Sequence, residues 1–114
     1  MDIVDRWAAS MGSGDFDLSL LSPQARIWHS SDGAEMSVDD ERRTLDEVRA
    51  SDVRIRASNI TVRRHQRGAI LEYEIVVVQT DGSTSRMPAV SVLTVEADQL
   101  TRIEEYFIEQ PGHQ

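Results

Sequence analysis

Ile3, Trp7, Ala8 and Met11 recur at helical spacing, so residues 2 to 11 read as an amphipathic first helix that Gly12-Ser13-Gly14-Asp15 brings to a stop. Phe16 to Leu21 reads as a short second helix, ended by Pro23, which disfavours helical geometry in the residue before it. Arg26-Ile27-Trp28-His29 is β-prone and runs into the turn formers Ser30-Ser31-Asp32-Gly33, which makes it a first strand. Ser37-Val38-Asp39-Asp40 has the form of a capping box with Asp in place of Glu, and opens a helix from about Val38 to Ala50. The apolar stripe of that helix is thin, only Val38, Leu45 and Val48, the pattern of a surface helix whose acids are solvated.

From Val53 onward the period is two. Val53, Ile55 and Ala57 alternate with Arg54 and Arg56, and the phase slips at Ser58-Asn59 before Ile60 and Val62, the mark of a β-bulge. Gly68 ends this strand, residues 69 to 80 form the strongest one, Asp81-Gly82 is a hairpin turn, residues 85 to 96 return, and residues 100 to 108 make the last strand. Residues 109 to 114 read as a frayed tail. Pro88 donates no backbone hydrogen bond, so an edge or a bulge is expected there. The whole is one α+β domain: helices with an early strand, then four long antiparallel strands. Residues 69 to 96 are apolar on both alternating faces, with Leu71, Tyr73, Ile75 and Val77 against Val76 and Val78. One face covers the helices. The other is expected to be buried against a second copy of the chain.

Composition narrows the classes of function. The chain has 114 residues, 20 acidic against 12 basic, a net charge of -8 and no cysteine. At this length folding buries only about two thirds of the chain's surface, which favours dimerisation. The acidic balance opposes nucleic-acid binding, which needs Lys and Arg to displace counterions from phosphates. Without cysteine there is no disulfide, thiolate nucleophile or Cys-based metal site. All twelve basic residues are Arg, so Schiff-base chemistry and a phosphate-loop lysine are excluded. The acidic start, Met1-Asp2-Ile3-Val4-Asp5, is not a secretory signal, and no apolar run reaches the roughly 18 residues of a membrane span, so a cytoplasmic protein without membrane contact is expected. His29, His65 and His113 have no paired spacing, so neither a metal nor any other cofactor is expected.

The order helix, helix, strand, helix, four strands resembles the nuclear transport factor 2-like fold, a curved sheet wrapped as a cone around its helices. The local sequences Arg26-Ile27-Trp28-His29 with Asp32-Gly33, Val38-Asp39, Asp81-Gly82 and Leu100-Thr101-Arg102-Ile103-Glu104-Glu105-Tyr106-Phe107 resemble the small bacterial SnoaL-like, polyketide cyclase-like proteins of that superfamily. The resemblance covers almost the whole chain. It implies a deep, mostly apolar pocket between the concave sheet face and the first helix, suited to a small apolar or polycyclic metabolite, and a fold that hosts isomerases, cyclases, dehydratases, epoxide hydrolases and pure binding modules.

Two residues carry candidate chemistry. His29 shares a strand face with Ile27, so it points inward if Ile27 does, and an imidazole exchanges protons near neutral pH. Where ketosteroid isomerase-like members have a carboxylate base, this chain has His29; the alternative is a histidine hydrogen-bonded to a neighbouring carbonyl at the pocket mouth. On the last strand Glu105 shares its face with Ile103 and Phe107, where desolvation would raise its pKa and fit it for acid or base work. SnoaL-like cyclases and limonene epoxide hydrolase-like members have an acid at the matching place; the alternative is a carboxylate satisfied by Arg or solvent. The expectation is an acid–base pair, His29 and Glu105, aimed into the hollow from opposite walls. Trp7, Ile27, Trp28, Tyr73, Glu74, Met87, Ile103 and Phe107 are candidates to line it. Strand parity leaves either Tyr73 or Glu72 and Glu74 inward, and the apolar company of Leu71, Ile75 and Val77 favours Tyr73. The first helix lacks the tyrosine a steroid isomerase-like site uses as oxyanion donor, and no arginine stands between two acids as in the epoxide hydrolase-like members, so both activities are disfavoured. A non-catalytic ligand-binding or protein-association module is the other reading.

Overall fold

In a computed structural model, described here for residues 1–108, α1 (Ile3–Ser13) precedes a 3₁₀ turn (Leu18–Leu20), β1 (Leu21–His29), β2 (Glu35–Ser37), α2 (Val38–Ala50), β3 (Arg54–His65), β4 (Gly68–Val78), β5 (Thr84–Glu96) and β6 (Gln99–Phe107). The strands form one six-stranded sheet in the order β2-β1-β6-β5-β4-β3. All pairings are antiparallel except β1 with β6, which run parallel. The curved, unclosed sheet and its helices have the α+β nuclear transport factor 2-like fold.

Local chemistry accounts for the elements. The side chain of Asp2 caps α1 by accepting from the Asp5 amide at 2.9 Å, and Gly14, at φ 85°, closes it in the left-handed conformation that glycine adopts without strain. A Cβ on Gly14 would stand 2.8 Å from the Ile55 carbonyl oxygen, so the turn also sets how closely α1 approaches β3. Ser37 and Asp40 cap α2 reciprocally, each side chain accepting from the other's backbone amide. The β3 register shifts between Ser58 and Thr61, with Asn59 at φ 55°, where the hydrophobic phase slips.

Three features differ from the sequence reading. The segment from Phe16 makes only one 3₁₀ turn before β1 begins at Leu21; the strand passes through the exposed Pro23, in a stretch where pairing with β6 is interrupted between Leu21 and Arg26. β2 went unread because three residues carry no period of their own; it exists by pairing with β1. Pro88 lies at neither a bulge nor an outer strand. It pairs with Glu74 inside the sheet and is tolerated because β6 ends at Phe107 beside it, the Pro88 carbonyl accepting from the Ile108 amide at 2.9 Å. The tail, residues 109 to 114, lies outside the described residues.

The core fills the space between the concave face and the helices: Val4, Trp7 and Met11 of α1 pack with Leu20, Ile27, Leu71, Tyr73, Leu93, Leu100 and Ile103. Alanines at 25, 57, 69 and 89 on the inner face leave room for the larger rings and branches beside them. No helix among the described residues is long and apolar enough to cross a membrane. Leu93 has no exposed surface, so Leu93→Ala should cost about 2–5 kcal/mol of unfolding free energy, measured by urea denaturation.

Candidate functional site

Parallel pairing of β1 with β6 sets Ile27 opposite Ile103 and His29 opposite Glu105. Side chains on paired positions share a face, so the two isoleucines form the apolar floor and the imidazole and carboxylate stand side by side above it. His29 and Glu105 are therefore neighbours on adjacent strands, not groups on opposite walls. The His29 Nε2 atom lies 3.5 Å from Glu105 Oε1, and the imidazole stacks parallel to Phe107 with centroids 6.3 Å apart.

Glu105 is also tied across the sheet. Ser91 on β5 pairs with it, and Tyr73 on β4, whose own partner is Ala89, reaches diagonally past Ser91. The Tyr73 hydroxyl donates to Glu105 Oε2. A phenol has one proton to give, so the buried Ser91 hydroxyl is the donor in its contact with the Tyr73 oxygen. Burial pushes the Glu105 carboxyl above the ordinary range, while the Tyr73 hydrogen bond and His29 pull it down. Burial and the Glu105 charge push the Tyr73 phenol far up, so it stays a donor.

A third acid faces His29 from the other side. Glu41, in the first turns of α2, places Oε2 3.9 Å from His29 Nε2, with only 15% of its side chain exposed. Burial raises its pKa too, with the Glu105 charge adding to the rise and His29 opposing it. The sequence reading assigned the α2 acids to solvent and missed this residue. The signal was present: Glu41 stands three residues after Val38 and four before Leu45, on the apolar stripe itself.

These groups border a cavity of about 190 Å³ with largely apolar walls, roofed by Thr44, Leu45 and Val48 of α2. Trp7, Ile27, His29, Ile103, Glu105 and Phe107 line it, as do Met11, Phe16, Leu18, Ile55 and Ile75. Tyr73 faces inward beneath it and reaches it only through its hydrogen bond to Glu105. Three expected lining residues lie elsewhere. Trp28 alternates with Ile27 and His29, so it projects to the outer face, packing on Tyr106 at 5.1 Å and donating from Nε1 to the Gly33 carbonyl. Glu74 alternates with Tyr73 and is outward as well, accepting from Asn59 Nδ2 at 3.0 Å, with Arg86 at 3.7 Å. Met87 pairs with Ile75, but it sits outside the cavity lining and is 46% exposed. Among the described residues no cluster of three or more His, Asp or Glu is arranged to hold a metal ion.

No family model matches the chain, and no curated protein matches it. Solved structures do. A Xanthomonas campestris protein provisionally named a polyketide cyclase superposes with a TM-score of 0.79 at 19% identity, over 93% of this chain and 87% of that one. A Pseudomonas putida protein with the same provisional name gives 0.77 at 18% identity, over 95% and 92%. A nuclear transport factor 2-like protein from Anabaena variabilis gives 0.74 at 14%, over 95% and 85%. At these identities the likeness shows the shared fold.

Carboxyl-resolved NMR titration should place Glu105 and Glu41 above the ordinary carboxylate range, and Tyr73→Phe should move Glu105 higher still by removing the donor that favours its ionised form; a downward shift would refute that role for Tyr73. A carboxyl whose folded pKa is raised favours folding while protonated. Its contribution is full below the unfolded value, near 4.5, and is lost as pH rises through the folded value. Glu105→Gln should therefore flatten the fall in melting temperature over that window.

Proposed function

We propose that this nuclear transport factor 2-like chain binds a small apolar metabolite in its cavity and carries out acid–base proton transfer on it, of the isomerase, cyclase or dehydratase type. The observation that carries the reading is the convergence of an imidazole and a carboxyl on one apolar cavity, with the carboxyl biased toward its protonated form by burial. Such a carboxyl has a proton to give at a pH where an ordinary glutamate has lost it, and the adjacent imidazole has a nitrogen that can take one. In an isomerisation the imidazole takes a proton from one carbon, the carboxyl gives one at another, and passage of a proton from the imidazolium to the adjacent carboxylate restores both groups. In a dehydration the proton delivered to a departing hydroxyl leaves as water, and the one taken from the neighbouring carbon restores the acid.

Cavity size restricts the substrate. An apolar cavity of roughly 150 Å³ holds a benzene ring, and drug-sized ligands occupy roughly 300–1,000 Å³. At about 190 Å³ the cavity favours a ligand of one or two rings over a larger polycycle.

A second reading, a binding or association module without turnover, draws on the outer sheet face. Ile70 and Tyr106 are exposed there at 37% and 40%, with Trp28, Val90 and Val92 half-buried beside them. This strip, apolar except for Glu104 between Trp28 and Val92 and flanked by Arg102 and Glu72, fits a homodimer interface. Sedimentation at high concentration should give a dimer, and Tyr106→Arg should dissociate it.

The two readings separate on activity. Turnover across a panel of small lactone, enone and epoxide substrates should fall about a hundredfold or more in His29→Ala and in Glu105→Gln, while ligand-induced thermal stabilisation persists. Unchanged turnover in both variants would leave only the binding module.

A further inference from the structure

Glu41 brings into the site a carboxylate oxygen that the rest of the protein leaves unsatisfied. Its Oε2 is buried without a hydrogen-bond partner, and the 3.9 Å to His29 Nε2 is too long for one. On the other flank of the same nitrogen, Glu105 Oε1 stands at 3.5 Å, while the second oxygen of Glu105 is taken by Tyr73. Two acceptor oxygens thus face one ring nitrogen across gaps too wide for direct bonding. That nitrogen carries at most one proton and cannot serve both. A buried acceptor without a partner calls for a donor from elsewhere.

Charge sharpens the class of donor. The chain has no lysine, and among the described residues no arginine lines the cavity. Two carboxyls in a largely apolar hollow therefore have a single imidazole as their potential counter-charge, and a cation beside them would favour the ionised form that burial opposes. An anionic ligand would add a third negative group, and an uncharged hydrocarbon would leave both oxygens as they are. Trp7, Phe16 and Phe107 supply aromatic surface in the same walls, the kind of surface that attracts a cation.

We propose that the cavity takes a small apolar amine in its ammonium form, the N–H groups donating to Glu41 Oε2 and Glu105 Oε1 and a one-ring body lying against Trp7, Phe16 and Phe107. The proposal rests on the reading of this cavity as the ligand site and is independent of any reaction there. It assigns to α2, through Glu41, the choice of ligand charge. The titratable groups facing the ammonium are Glu41 from α2, His29 from β1 and Glu105 from β6, with Tyr73 of β4 behind Glu105. Acid removes the negative charge of the two carboxylates and with it their attraction for the ammonium. Binding weakens as pH falls.

Isothermal titration at neutral pH with benzylamine, benzyl alcohol and benzoate, near-isosteric probes of three charges, tests the assignment. Benzylamine should bind at least about tenfold more tightly than benzyl alcohol, a ratio within reach of one charge-assisted hydrogen bond, and benzoate should not bind. The preference should shrink as pH is lowered, a measurement that needs no variant. Glu41→Gln should lose the preference for benzylamine while keeping its affinity for benzyl alcohol, which shows that the cavity has survived the substitution. Equal affinity of the wild type for benzylamine and benzyl alcohol at neutral pH, or a Glu41→Gln protein that retains the preference, would overturn the amine assignment and leave the cavity a site for uncharged ligands. Failure of all three to bind would overturn both the assignment and the reading of the cavity as a ligand site.

Discussion

Burying the carboxyl of Glu105 is the constraint around which the inner face of the sheet is arranged. A carboxylate moved out of water costs several kcal/mol unless hydrogen bonds or opposite charge replace its hydration. Here the replacements come from three other strands: a phenol from β4, a hydroxyl from β5 that supports the phenol, and an imidazole from β1. None of these lies near Glu105 in sequence. The sheet must therefore be assembled in one register before the carboxyl is satisfied. A slip of one residue in any of these strands would turn its polar group to the outer face and leave Glu105 stranded.

How far this arrangement can be read from the sequence depends on the range of each contact. Period-two patterning grouped Tyr73 with Leu71 and Ile75 on one face and Glu72 with Glu74 on the other; apolar company favoured Tyr73 inward, as the structure has it, although Glu74 was also expected to line the cavity. Those are statements about one strand's faces, and alternation fixes them locally. Which strands lie side by side is a different matter. The β1–β6 pairing joins residues more than seventy positions apart and is parallel, so no turn signal announces it, and His29 and Glu105 could only be assigned to a common hollow from opposite walls. Trp28 shows the converse error: an aromatic ring was taken for a pocket wall although its parity, opposite to Ile27 and His29, already turned it away.

Glu41 escaped for a reason that is chemical rather than geometric. Acids in the first turn of a helix complement its positive end and are ordinarily solvated, and Asp39 and Asp40 beside it conform to that rule. Only the phase of Glu41, shared with Val38, Leu45 and Val48, sets it apart. A charged residue on the apolar stripe of an otherwise polar helix carries more information than several on the polar side, because burial without full compensation needs a reason.

The helix that carries Glu41 is also the least embedded part of the site. Val38 is its one fully buried residue among the described positions, and it is fastened at its start by the Ser37–Asp40 capping box, leaving Thr44, Leu45 and Val48 as a roof over the cavity. The sheet side is held by four strands and their hydrogen-bonded polar row. The two sides of the cavity thus differ in how they are held: His29, Glu105 and Tyr73 are fixed by strand register, while Glu41, Thr44 and Val48 stand on a helix whose own hold on the core is Val38 and Leu45. A fold built this way holds its buried polar row in place on the sheet, and under the function proposed above the helix facing that row is where ligand choice would be set.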